Sequence, residues 1–143
     1  AKESDIEKSE KKSPERQMDR KSEVARKLAV ELARVAADTR CTDVVVLDVS
    51  SFSPITDFLV IATGTSPRQM RTVADDCIEA AEAAGQTALS STGYEGSNWI
   101  CVDFIDVILH IFAAESRAYY DLENLWGEAV RIPWEQEAPA KAQ

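Results

Sequence analysis

Residues 99–112, WICVDFIDVILHIF, are two apolar runs parted by a short interruption that carries Asp103 and Asp106. The alternation predicts strands near 98–103 and 106–113, with Phe104 and Ile105 as a two-residue turn. Asp103 then faces Asp106, Cys101 faces Ile108, and Trp99 faces His110, the single histidine of the chain. Facing residues project to the same side of a sheet. One side carries Trp99, Cys101, Asp103, Asp106, Ile108 and His110. The other carries Ile100, Val102, Val107, Leu109 and Ile111, a core face. The mixed side has the aromatic and partly apolar makeup of a protein-binding patch. It equally suits a surface covered by a helix, with His110 hydrogen-bonded and quiet. Phe-Ile is poor chemistry for a two-residue turn, which favours Asn-Gly or Asp-Gly, so a longer loop that shifts the pairing is the alternative.

Outward from the hairpin, the pattern predicts an αββαβββα chain. Ser22 is placed to cap a first helix running to about Asp38, with Val24, Leu28, Leu32 and Val35 on one face. DVVVLDV (43–49) and DFLVIAT (57–63) read as buried strands joined by the loop SSFSPIT. GTSPRQ (64–69) opens a second helix, with Ser66 as cap, Pro67 at its first position and Gln69 completing a capping box. Its inner stripe is Met70, Val73, Ala74, Cys77, Ile78 and Ala81, and Gly85 ends it. A short strand near 86–91 and a Gly-containing turn lead into the hairpin. A last helix from about Glu115 to Trp126 is expected to bury Tyr119, Leu122, Leu125 and Trp126. Helices against one mixed five-stranded sheet, an α/β (α+β) fold, is the economical architecture.

The 143 residues are 45% apolar, enough for one domain. Residues 22–132 form it. Residues 1–21 read as a disordered charged tail, and 133–143 as a second tail in which Trp134 is the residue able to dock. No apolar run approaches the roughly 20 residues of a membrane span, and the first residues lack the apolar core of a secretory signal. A cytoplasmic protein without a membrane partner is expected. Three widely spaced cysteines match no disulfide framework or zinc pattern, so no metal is expected. The net charge is −9. Residues 1–21 carry seven basic and six acidic side chains, leaving nine and nineteen for the remainder. So acidic a domain fits a basic protein partner, and direct contact with nucleic acid is at most minor.

Catalysis is the weaker reading of this sequence. Asp103 and Asp106 could hold a metal or move a proton, but nothing nearby in sequence supplies a third ligand. His110 has no nucleophile elbow to serve. ATGTSPRQ resembles the Gly–Ser element of nucleotidyltransferases, yet the strand after its helix, QTALSST, has no carboxylate. No catalytic residue and no cofactor are assigned.

TDFLVIATGTSPRQ, NWICVDFIDVILHIF and ESRAYYDLENLW, in this order and spacing, resemble the ribosomal silencing factor family, RsfS or Iojap, over about residues 22–127. The resemblance implies a sheet-and-helix fold related to the nucleotidyltransferases but lacking their catalytic residues. It implies binding to the large ribosomal subunit through ribosomal protein L-fourteen, a block on subunit joining, and lowered translation when nutrients are scarce. The family's Trp matches Trp99, its D-x-G-D turn matches Asp103 to Asp106, and its strand His matches His110. Its E-x-R-x-Y-Y/L-x-L-E segment matches Glu115, Arg117, Tyr120, Leu122 and Glu123. Ile105 stands where the family usually has Gly. Trp99, Asp103, Asp106, His110, Arg117 and Tyr120 are therefore the expected partner-binding residues. A divergent nucleotidyltransferase-fold enzyme and an acidic adaptor for another basic protein are the alternatives, and a homodimer stays open.

Overall fold

The computed structural model describes residues 14–135, with side chains from residue 20. Its elements are α1 (Pro14–Asp38), β1 (Thr42–Asp48), β2 (Phe58–Thr63), α2 (Pro67–Ala83), β3 (Ser90–Thr92), β4 (Trp99–Asp103), β5 (Val107–Phe112), α3 (Ala114–Tyr120), α4 (Leu122–Leu125) and β6 (Val130–Arg131). The strands form one mixed sheet in the order β3-β4-β5-β2-β1-β6. The expected mixed sheet and flanking helices are present, with a sixth strand that two residues were too short to announce. The pairing of β2 with β5 is parallel and the other four are antiparallel.

The first helix starts at Pro14, not after Ser22. Pro suits a first helical turn, and the Glu, Arg, Gln, Met and Lys residues that follow are good helix formers. Of the stretch read as a tail, residues 1–13 lie outside the described residues. The buried stripe of α1 is Ala25, Leu28, Ala29, Leu32, Ala33 and Ala36, while Val24 is 50% exposed. Small alanines let the helix lie close to the sheet, which rotates Val24 to the margin. The stripe of α2 buries Met70, Val73, Ala74, Cys77 and Ala81 as expected, with Ile78 packed beside them. The Ser66 hydroxyl accepts from Gln69 N–H at 3.0 Å. The Gln69 amide oxygen accepts from Thr65 rather than from the cap itself, and its nitrogen donates to the Thr39 carbonyl at 2.8 Å, tying the helix start to the end of α1. A Cβ at Gly64 would collide with the Met70 side chain, so the tight β2–α2 turn requires glycine there.

α1 and α2 cover one face of the sheet over Val46, Phe58, Val60, Ile100, Val102, Val107, Leu109 and Ile111. The other face has a smaller core of Leu47, Val49, Leu59, Ile61 and Phe112, against which Leu122 and Trp126 pack. The expected single last helix is broken at Asp121, whose φ of 47° is left-handed. Asp tolerates that region better than most residues. The break swings α4 back over the small core. It leaves Tyr119 81% and Leu125 70% exposed, where one continuous helix was expected to bury both.

The β4–β5 hairpin is longer than a two-residue turn. Trp99 pairs with Phe112, Cys101 with His110 and Asp103 with Ile108, a slip of two residues from the expected register. Side chains alternate with period two, so an even slip changes partners without exchanging faces. Ile100, Val102, Leu109 and Ile111 therefore line the core as expected. Asp106 does not face Asp103. It sits within the loop, where its carbonyl accepts from the N–H groups of Asp57 and Phe58 at 3.0 and 3.1 Å. Phe104 turns into the core, and Asp106 N–H donates back to the Phe104 carbonyl around Ile105 at φ 77°. A β-branched residue at positive φ is strained, and this tight three-residue turn is a rare one. Ile105 is half exposed and loses little packing on truncation. Ile105→Gly is expected to stabilise the fold by about 1 kcal/mol, net of glycine's extra freedom in the unfolded chain. Urea unfolding of the two proteins checks this, and a lower midpoint for the glycine variant contradicts it.

Candidate functional site

The open part of the second face lies over β4 and β5, beyond the cover of α3 and α4. Trp99 at the start of β4 stacks on Phe112 with ring centroids 4.7 Å apart. Tyr120, the last residue of α3, lies against the other side of the cluster, 4.7 Å from Trp99. Tyr119 meets Tyr120 edge-on at 5.0 Å. The rings grade from fully buried Phe112 through half-buried Trp99 to half-exposed Tyr120 and exposed Tyr119. Such stacked rings hold few rotamers and present a preorganised apolar surface. Tyr119 is the residue the sequence reading missed, because it was assigned to the core; its neighbour in the YY pair was the available signal.

His110 is 9% exposed, and its Nδ1 accepts from Trp99 Nε1 at 3.1 Å. That bond fixes the tautomer with the proton on Nε2 and sets the indole plane. Burial pushes the imidazole down from 6.5 to about 4. His110 is thus neutral near pH 7 and positions Trp99. Protonation would require Nδ1 to give up its role as acceptor. An unfolded histidine takes a proton near pH 6.5 and the folded one only near 4. Its contribution to stability is therefore complete above pH 6.5 and is lost as pH falls through about 4. The loss should reach roughly 3 kcal/mol. Unfolding of the parent and of His110→Gln from pH 7 to 4 measures this as a difference that changes with pH, and a pH-independent difference contradicts it.

Arg117 does not project from the patch. Its side chain is 11% exposed and makes a forked ion pair with Glu123, with Nε–Oε1 3.1 Å and Nη2–Oε2 3.0 Å. Nη1 donates to Thr63 Oγ1 at 2.8 Å, at the end of β2. One side chain thus ties α3, α4 and the sheet together across the Asp121 break. Hydrogen bonding from Arg117 holds the Glu123 carboxyl below the usual carboxylate range, against the opposing effect of burial. Arg117→Ala should cost about 2–3 kcal/mol, and Arg117→Lys should recover part of it because lysine lacks the fork. Urea midpoints decide; a neutral alanine variant would mean that α3 docks without the pair.

The two aspartates part company in space. Asp103, half-buried on the Trp99 side of β4, accepts from Ile105 N–H at 2.7 Å and builds the turn. It is four residues from Trp99, about 13 Å along the strand. Asp106 lines a hollow on the α1 side with Arg20, Lys21, Val24, Leu28 and Phe104. The structure thus brings together Trp99, His110 and Tyr120, sets Asp103 at the far end of the same face, places Arg117 beneath it, and leaves Asp106 off it. Among the described residues no three His, Cys, Asp or Glu side chains gather as a metal site. Burial and then the carboxylates of Asp106 and Asp48 raise the Asp57 carboxyl, with Lys21 opposing, so acidic and basic side chains share this end of the sheet.

The family model described as "Ribosomal silencing factor during starvation" matches residues 4–143. The chain belongs to the ribosomal silencing factor family. RsfS of Haemophilus influenzae is 41% identical over 85 residues, 59% of this chain and 83% of that protein. RsfS of Halalkalibacterium halodurans is 36% identical over 98 residues, 68% and 84% of the two chains. The chloroplastic protein Iojap of Arabidopsis thaliana is 34% identical over 130 residues, 89% of this chain and 53% of its own. A crystal structure of a protein from Chromobacterium violaceum superposes with a TM-score of 0.66 at 30% identity, covering 82% of this chain and 96% of that one. The silencing-factor fold here therefore carries an aromatic ridge at one end of its second sheet face and Asp103 at the other.

Proposed function

We propose that this silencing factor binds the large ribosomal subunit through basic ribosomal protein L-fourteen, keeps the small subunit from joining, and so lowers translation in the cytoplasm. The Tyr119–Tyr120–Trp99 ridge is the apolar anchor of that contact, and Asp103, at the far end of the same face, supplies charge at its rim. The observation that carries this reading is the ridge itself: stacked rings, exposed at their outer end in Tyr120 and Tyr119. Buried aromatic anchors dominate the energetics of protein interfaces, and rim charges speed encounter. Arg117 and Arg131 are both directed at Glu123, and the attraction to a basic partner rests on the net negative charge of the chain. The same geometry supports a binding role over catalysis. Asp103 is engaged in the turn, His110 in holding Trp99, and Asp106 lies off the face. Asp106 and Arg117 are accordingly support for the face and not its contacts.

Co-sedimentation with purified large subunits tests the reading. Tyr120→Ala should weaken binding about tenfold or more while the urea midpoint moves little, since half of that ring is already in water. Asp103→Asn keeps an oxygen for the Ile105 N–H and removes only the charge, so it should slow association and leave stability near the parent's. Trp99→Ala will lower both binding and stability and is not diagnostic alone. Parent-like binding by a folded Tyr119→Ala/Tyr120→Ala/Asp103→Asn protein would place the contact elsewhere. Co-sedimentation of the parent with the small subunit alone would overturn the silencing role.

A further inference from the structure

The indole N–H of Trp99 is used inside the ridge, on Nδ1 of His110 at 3.1 Å. An indole nitrogen can only donate, so Nδ1 accepts and the proton of the neutral ring sits on Nε2. His110 stands on the second face of the sheet, paired with Cys101 on one side and Ile61 on the other. Nε2 lies on the side of the ring farthest from Cβ, so it points away from the strands. Among the described residues nothing accepts its proton, and Cys101 opposite makes no bond to it. No side-chain nitrogen or oxygen shut off from solvent lacks a partner among those residues, so Nε2 keeps contact with water. His110 as a whole is nine-tenths buried. A nearly buried donor without a protein acceptor thus opens onto the face beside the ridge, in a ring 5.7 Å from that of Trp99.

We infer that His110 Nε2–H is the specificity-determining donor of this face, and that it takes a backbone carbonyl of the partner when the ridge is covered. The inference rests on the reading of the ridge as the contact with the ribosomal protein. A partner lying on Trp99 and Tyr120 displaces the water at Nε2. A buried N–H covered without an acceptor loses that bond with nothing in return, so a partner lacking an oxygen there binds about tenfold more weakly or worse. The chemistry of the acceptor follows from the surroundings. The chain carries a net charge of −9, and Asp103 lies on the same face, so a carboxylate is disfavoured. The neutral ring has no second lone pair to offer, so a lysine or arginine opposite Nε2 would set donor against donor. A basic partner must therefore bring its cations elsewhere along the face and its main chain here.

The single histidine makes the test direct, because nitrogen-15 labelling of histidine gives the imidazole signals of one residue. The labelled full chain is titrated at pH 7 with purified ribosomal protein L-fourteen. In the complex, exchange of the Nε2 proton with water should slow about tenfold or more, while Nδ1 stays an unprotonated acceptor. His110→Asn keeps an oxygen on Cγ, where Nδ1 accepts from Trp99, and has no donor at the Nε2 position. Its Trp99 indole proton should stay as protected as the parent's, and its affinity should fall about tenfold. A complex in which Nε2 exchange is unchanged would show that His110 only braces Trp99, and so would parent-like affinity of the asparagine variant. If that variant folds poorly, the exchange measurement on the parent decides alone. Absence of any complex with the parent would end the reading of the partner and this inference with it.

Discussion

The parallel pairing of β2 with β5 is the constraint on which the rest of the structure depends. Six consecutive pairs, Phe58 with Val107 through Thr63 with Phe112, run down the middle of the sheet. Both strands are buried almost throughout. Each end is locked by further backbone bonds: Asp57 and Phe58 donate to the Asp106 carbonyl, and Gly64 donates to Phe112. Parallel strands need a long crossover, and here α2, β3 and β4 supply it. Their placement, the covering of one face by α1 and α2, and the position of the hairpin all follow.

That constraint explains what the sequence revealed of the hairpin and what it concealed. The faces of β4 and β5 are legible because alternation is local, and the two-residue slip preserves it. The register is not legible, because β5 is aligned by β2 and not by its own turn. The turn absorbs the difference by burying Phe104, driving Ile105 to positive φ and turning Asp106 inward to serve β2. Placing Asp103 and Asp106 as a facing pair rested on local turn chemistry, and a long-range pairing outweighs it. The capping box at Ser66 and the stripe of α2 were legible for the converse reason, since both are set within one helix.

The C-terminal third was least legible. ESRAYYDLENLW reads as one amphipathic helix, and nothing in its periodicity marks Asp121 as left-handed. The break is imposed by geometry: a straight helix leaving β5 could not lay both Tyr120 on Trp99 and Trp126 on the core of Leu47, Val49 and Leu59. Arg117 compensates by reaching across the break to Glu123 and down to Thr63. Family resemblance marked Arg117 as important, and its geometry makes it important to the scaffold. The short β6 was hidden because its pairing partner is the distant end of β1, whereas Trp134 was legible as the tail residue able to dock, and its indole donates to the Val44 carbonyl.

The ridge cannot be separated cleanly into a part that folds and a part that binds. Phe112 belongs to the sheet core, Trp99 rests on it, His110 fixes the indole from the side, and Tyr120 closes the stack from α3. Each outer ring is held by the one beneath it, so the surface offered to a partner loses little freedom on binding. Rigidity of that kind needs a neutral His110, because a charged imidazole could not accept the Trp99 N–H. The single histidine of the chain is therefore best understood as an acceptor kept uncharged by burial, and its chemistry serves the shape of the face.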